Sequence, residues 1–120
     1  MLEKMLQPRD GHLFNAYDMS DDGHSVPLDL QNFSMFNIQF FWTGGTGTFD
    51  GQIKVQMCQL PSDTDGDWYD VPNLLINIQA ASGMDMIELT QATAKYYRFL
   101  YTKNNITGGT LNAYLGAKRA

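Results

Sequence analysis

Gln52-Ile53-Lys54-Val55-Gln56-Met57-Cys58 alternates between apolar and polar residues without a break. Ile53, Val55 and Met57 fall on one side and Gln52, Lys54 and Gln56 on the other, the period-two pattern of a strand with one face buried. Working outward, the pattern recurs. Upstream, Phe36, Ile38, Phe40 and Trp42 share one face, opposite Met35, Asn37, Gln39 and Phe41. Downstream, Tyr97, Phe99 and Tyr101 oppose Tyr96, Arg98 and Leu100, and Leu111, Ala113 and Leu115 oppose Asn112 and Tyr114. The β-branched and aromatic content suits strands.

Turn-formers punctuate these runs: Asp21-Asp22-Gly23, Thr43 to Gly47, Asp50-Gly51, Asp63 to Asp67, Ser82-Gly83 and Asn104 to Gly109. Glycine supplies positive φ at such places without steric cost, and Asn and Asp tolerate it. Weaker strands are expected over 12–17, 26–30, 68–71, 74–78 and 86–90, and a helical turn only over 1–6 or 89–95. Eight or nine short strands at this spacing predict an all-β fold. Its expected form is a single antiparallel β-sandwich over 26–120, with a jelly-roll-like order among its forms. Residues 1–25 pattern poorly and read as an N-terminal arm.

Composition bounds the function. In 120 residues there is room for one domain with one core, and the 43% hydrophobic content is that of a globular chain. The single cysteine, Cys58, excludes an intrachain disulfide and a cysteine-based zinc site. The opening residues lack the apolar stretch of a signal peptide, so the sequons at Asn32 and Asn105 read as chance, and no window is long enough to span a membrane. Net charge is −5, with twelve acids against Lys54 alone over 10–94 and five basic residues with no acid from Lys95 onward. Either strand pairing mixes these segments in space, or the basic end docks on an acidic neighbour. An acidic chain with so few cations is a poor nucleic-acid binder.

Parts for catalysis are scarce. His12 and His24 sit in the poorly patterned arm, the serines lack a nucleophile elbow, and Cys58 has no nearby histidine; the expectation is no enzyme and no cofactor. Asp63, Asp65 and Asp67 alternate as carboxylates around a hard cation can, but the glycine spacing is not that of an EF-hand and Leu74 stands where its final carboxylate belongs. These three are weak metal candidates, better read as turn caps. Thr43 to Gly47 lacks the Lys-Ser/Thr end of a phosphate loop and reads as a hairpin turn, and Thr-Gly-Gly-Thr recurs at 107–110. Trp68, Tyr69 and Tyr114 could form a ligand face, since flat amphipathic rings are strong anchors.

Gly51 to Met57, Gly66 to Val71, Tyr97 to Thr102 and Gly108 to Leu115 together resemble the strand motifs of small β-sandwich structural proteins of tailed bacteriophages. The resemblance implies a non-enzymatic virion protein assembled in the host cytoplasm. Its expected role is a capsid decoration or cement protein that stabilises the capsid as a homo-oligomer on the major capsid protein or other virion proteins. A tail, head–tail connector or fibre component is the neighbouring reading. Interface residues would then be Leu13, Phe14 and Tyr17 in the arm and Lys118 and Arg119 at the basic end. A carbohydrate-binding module is the alternative from another class, with Trp68, Tyr69 and Tyr114 as its platform.

Overall fold

The alternating runs become strands in the structure, a computed structural model that describes residues 12–25, 27–29, 35–60, 64–89 and 94–118. Nine strands are described: β1 (His12–Asp18), β2 (Gly23–His24), β3 (Leu28–Asp29), β4 (Met35–Gly47), β5 (Gly51–Cys58), β6 (Tyr69–Ile78), β7 (Gly83–Leu89), β8 (Tyr96–Thr102) and β9 (Ile106–Lys118). A single 3₁₀ turn, Asp65–Asp67, precedes β6. One sheet has the order β1-β9-β4-β7; the other runs β2-β8-β5-β6, with β3 also on β8. All pairings are antiparallel.

Taking β2 and β3 as two pieces of one strand, the pairs β5–β6, β4–β7, β3–β8 and β1–β9 nest inside one another along the chain. That nesting, split across two sheets, is the jelly-roll order. The inner faces are the apolar faces read from the alternation: Phe36, Ile38, Phe40 and Trp42 from β4, Ile53 and Val55 from β5, Tyr97, Phe99 and Tyr101 from β8, and Leu111, Ala113 and Leu115 from β9. The two sheets meet through aromatic contacts, with Phe36 5.5 Å from Tyr97 and Phe40 5.8 Å from Phe99, centroid to centroid. Each fully buried aliphatic or phenyl side chain of this kind contributes roughly 1.5–3 kcal/mol.

Three expectations change. Residues 12–25, set apart as an arm, supply β1 to one sheet and β2 to the other, and Phe14 and Met19 lie in the core. Thr43 to Gly47, expected as a hairpin turn, is the irregular end of β4. It pairs with β9 through register shifts between Thr43 and Gly47, and the actual reversal falls at 48–50. The look-alike Thr-Gly-Gly-Thr segments are partners in that bulge: Thr46 pairs with Gly108, and the Thr46 and Thr107 hydroxyls lie 3.0 Å apart. Gly109, at φ 127°, makes the close approach possible, since a Cβ there would come 3.1 Å from Gly45 Cα and 3.0 Å from Met19 Sδ. Thirdly, 89–95 ends a strand and begins a bend at Ala94–Lys95 where described, and the helical turn expected over 1–6 lies outside the described residues.

Candidate functional site

The outer face of the β1-β9-β4-β7 sheet is built by the same alternation that fills the core. Its rows follow from the register. Gln39 of β4 lies between Met86 of β7 and Tyr114 of β9, Phe41 between Met84 and Asn112, and Asn37 between Glu88 and Gly116. Three strands by three rows make a surface roughly 10 Å across and ~14 Å along.

On this surface Tyr114 is 49% exposed, and Phe41 meets it edge to face at 5.9 Å. Met84 and Met86, 60% and 49% exposed, continue the apolar strip to the β7 edge. Amides lie between. Gln39 Nε2 donates to Met84 Sδ at 2.9 Å, which fixes the side chain across the β4–β7 pair. Asn112 Oδ1 accepts from the Ala16 N–H at 2.8 Å and ties the face to β1. Asn37 lies over Gly116, where a Cβ would come within 2.9 Å of its Oδ1. Charge is confined to the ends, with Glu88 in the Asn37 row and Asp18 opposite Thr110. The Gln39 and Phe41 rows hold no Asp, Glu, Lys or Arg. Neutral amides beside exposed rings can donate to and accept from hydroxyls while the rings cover an apolar ring face.

The residues singled out from sequence separate. Tyr114 is on this face. Tyr69, 69% exposed, is on β6 in the other sheet, opposite Met57. Trp68 is 7% exposed, its ring covering the Arg98 guanidinium at 4.7 Å. No common platform joins the three. Phe14 is buried, and Tyr17 is half-buried with its hydroxyl donating to the Asp21 carbonyl at 2.8 Å. Burial, ahead of the Asp21, Asp22 and Asp18 carboxylates, raises the Tyr17 phenol above its ordinary value. Leu13 and Lys118 are placed in β1 and β9 by their backbones, and Arg119 lies outside the described residues.

Asp65 is occupied, its carboxylate accepting from Arg98 Nη2 at 3.1 Å. Arg98, which alternation puts on the outer face of β8, is 1% exposed, because the 64–68 segment folds over it. Its Nε donates to Gln56 Oε1 at 2.8 Å, and Gln56 Nε2 donates to Asp70. The Arg98–Asp65 pair brings the basic end against the acidic segment, while Lys54, 3.6 Å from Asp70, pairs within that segment. Asp67 is exposed on the 3₁₀ turn and Asp63 lies outside the described residues. Among the described residues no three His, Cys, Asp or Glu side chains are grouped to hold a metal. The sequon residue Asn105 donates its Nδ2 to Asp50 Oδ2 at 2.6 Å and its backbone N–H to Oδ1 at 2.8 Å. These two bonds hold the Asp50 carboxyl below its ordinary value.

The sheet face was missed from sequence because Gln39, Asn112 and the methionines lie far apart in the chain. The available signal was that the polar side of β4 carries Phe41 and Met35 as well as amides.

No protein-family pattern matches the chain, and no curated protein matches it by sequence. Solved structures do match. One, described as "CBM4 structure and function", is a carbohydrate-binding module with a TM-score of 0.54 at 11% identity, covering 81% of this chain and 61% of its own. The chain thus spans less than two thirds of that protein's length. Another, TmCBM61 in complex with beta-1,4-galactotriose, has a TM-score of 0.44 at 12% identity, covering 89% and 69%. The first match shows the sandwich fold.

The first of these likenesses, to a carbohydrate-binding module, overturns the expectation of a phage capsid decoration or cement protein. Of the four segments behind that resemblance, Gly51 to Met57, Tyr97 to Thr102 and Gly108 to Leu115 lie in β5, β8 and β9, and Gly66 to Val71 runs from the 3₁₀ turn into β6. They carry the alternation that a sandwich of this topology needs whatever it binds. Phe14, expected at an assembly interface, is core, and the described part of the arm pairs as β1 and β2.

Proposed function

We propose that the chain is a non-catalytic carbohydrate-binding module that holds a glycan chain against the outer face of the β1-β9-β4-β7 sheet. The observation that carries this is the half-exposed Tyr114 ring, braced by Phe41, with Gln39, Asn37 and Asn112 amides around it and charge only at the ends. Sugar rings present an apolar C–H face and an equatorial belt of hydroxyls. The Tyr114 and Phe41 rings cover the first, and the amides meet the second. The strip runs to an open edge, which suits a chain passing over the sheet. The fold likeness to a carbohydrate-binding module supports the same reading.

A microarray of neutral and acidic polysaccharides tests it. Binding to neutral glycans is expected, unchanged by chelator. Tyr114→Ala should weaken it about 30-fold, since a central aromatic anchor is worth about 2 kcal/mol. Its melting temperature should fall by no more than several degrees, with the fold kept, because half of the ring is already in water and the rest packs on Phe41. Absence of binding across the array, or full binding by Tyr114→Ala, overturns the assignment.

A further inference from the structure

A concave surface lies away from the sheet face, where β5 ends, β6 begins and the chain enters β8. Met57, Cys58, Gln59, Asp67, Tyr69 and Ala94 line a depression of about 240 Å³. This is smaller than the roughly 300–1,000 Å³ of ordinary small-molecule sites, so it holds one ring and not a chain.

We propose that this cleft is a separate site for a single neutral sugar unit, such as the exposed end of a glycan. The proposal takes its ligand class from the carbohydrate-binding reading, and its place from the cleft alone. Met57, Cys58 and the 7% exposed Ala94 give the depression its apolar part. Tyr69, with 69% of its surface in water, stands beside it as a stacking wall. Polar groups come from Gln59 and Asp67. Gln59 Oε1 accepts from the Lys95 N–H at 3.4 Å, a long bond that directs the side chain and leaves both Nε2 hydrogens for a ligand. An apolar surface with an amide and a carboxylate beside it fits a pyranose better than a flat aromatic, which has no hydroxyls to use them. Among the described lining residues there is no Lys or Arg to pair with the anion of a uronic acid, a sulfated sugar or a phosphate.

The wall is also preformed. Asp67 N–H donates to the Thr64 carbonyl at 3.0 Å and Trp68 N–H to the Asp65 carbonyl at 3.2 Å. Trp68 and Asp65 are then anchored on the buried Arg98. A loop ordered before binding loses little freedom when ligand arrives. With one site on the sheet face and one in the cleft, a single chain could hold a glycan along its length and another by its end.

Cys58 makes the test site-specific, because it is the chain's one cysteine, half-buried, and it lines the cleft. Its alkylation by iodoacetamide is timed with and without methyl β-glycosides of glucose, galactose, mannose and xylose. At least one should slow the reaction, by about tenfold at a concentration ten times its Kd. Tyr69→Ala should abolish the slowing, and Tyr114→Ala should leave it intact. No protection by any glycoside overturns the cleft, as does protection that survives Tyr69→Ala or disappears with Tyr114→Ala. Failure here with array binding intact removes only the second site. An empty array with Cys58 protected removes the sheet-face reading and keeps the cleft.

Discussion

Asp50 shows how much one side chain can hold. Its carboxylate takes two bonds from Asn105 while its carbonyl accepts from Asn104 Nδ2 at 2.7 Å, so the β4–β5 turn is tied to the β8–β9 turn. The folded carboxyl titrates below its ordinary value of 3.8, chiefly through the Asn105 backbone bond. A depressed acid gives stability that is complete above its unfolded pKa and is lost as pH falls through the folded one. Asp50→Asn should therefore lower the melting temperature at pH 7, and the gap from the parent should close on acidification below about pH 4. Thermal melts across pH 2–7 read this, and a constant gap would contradict it. Gly109 tests the bulge. Gly109→Ala at φ 127° must place a methyl against Gly45 backbone, which cannot swing aside. A cost of about 1–3 kcal/mol is expected, or a fall of roughly 4–10 °C in Tm. An unchanged Tm would mean that the bulge relaxes freely.

At the scale of elements, strand faces were legible and their covers were not. The inner residues of β4, β5, β8 and β9 could be read directly, because period-two alternation is a local signal. The same signal put Arg98 and Tyr96 on an open face, yet both are buried. What covers Arg98 comes from 30 to 33 positions upstream in sequence, and no local pattern encodes that contact. Likewise the Thr43 to Gly47 glycines signal a departure from regular strand, but whether it is a turn or a bulge depends on β9 lying alongside. The cover can be taken apart. Arg98→Met orphans the buried Gln56 Oε1, at about 1–3 kcal/mol, and strips Trp68 of its partner. Asp65→Ala removes a partner whose side chain is 81% exposed, so water screens the pair and under about 1 kcal/mol is lost. Urea unfolding of both variants should rank them in that order, with Trp fluorescence red-shifted only in Arg98→Met. The reverse order would mean that the buried guanidinium left without its carboxylate costs more than losing the guanidinium altogether, so that water does not screen the pair.

For the whole molecule, charge and aromatic count pointed the sequence reading toward assembly, and topology redirected it. Nesting of the strand pairs brings the basic end against the acidic centre at Arg98–Asp65. It also draws most of the aromatic residues inward, leaving Tyr114 and Tyr69 as the largely exposed rings described. The sites were half legible. Both tyrosines could be picked out as candidates, but their separation onto two sheets depends on long-range pairing that a single sequence does not display. Tyr101 reports on the closed sandwich: burial, foremost among the causes, pushes its phenol up to about 12, and its hydroxyl donates to the Met19 carbonyl at 2.8 Å. A raised phenol contributes stability below the unfolded value of 10.0 and loses it as pH climbs from there toward 12. Tyr101→Phe, with no phenol to ionise, should lose less of its own pH 7 stability across that window than the parent loses of its own, as circular dichroism would show, and equal losses would contradict this.

The central claim is that a glycan lies on the outer face of the β1-β9-β4-β7 sheet. The most direct measurement is an amide NMR titration with a soluble neutral oligosaccharide drawn from the array. The largest shifts should fall on Gln39, Phe41, Met84, Asn112 and Tyr114 and be lost in Tyr114→Ala. Saturable binding whose shifts avoid those residues, or no shift with any bound-positive glycan, would contradict the account.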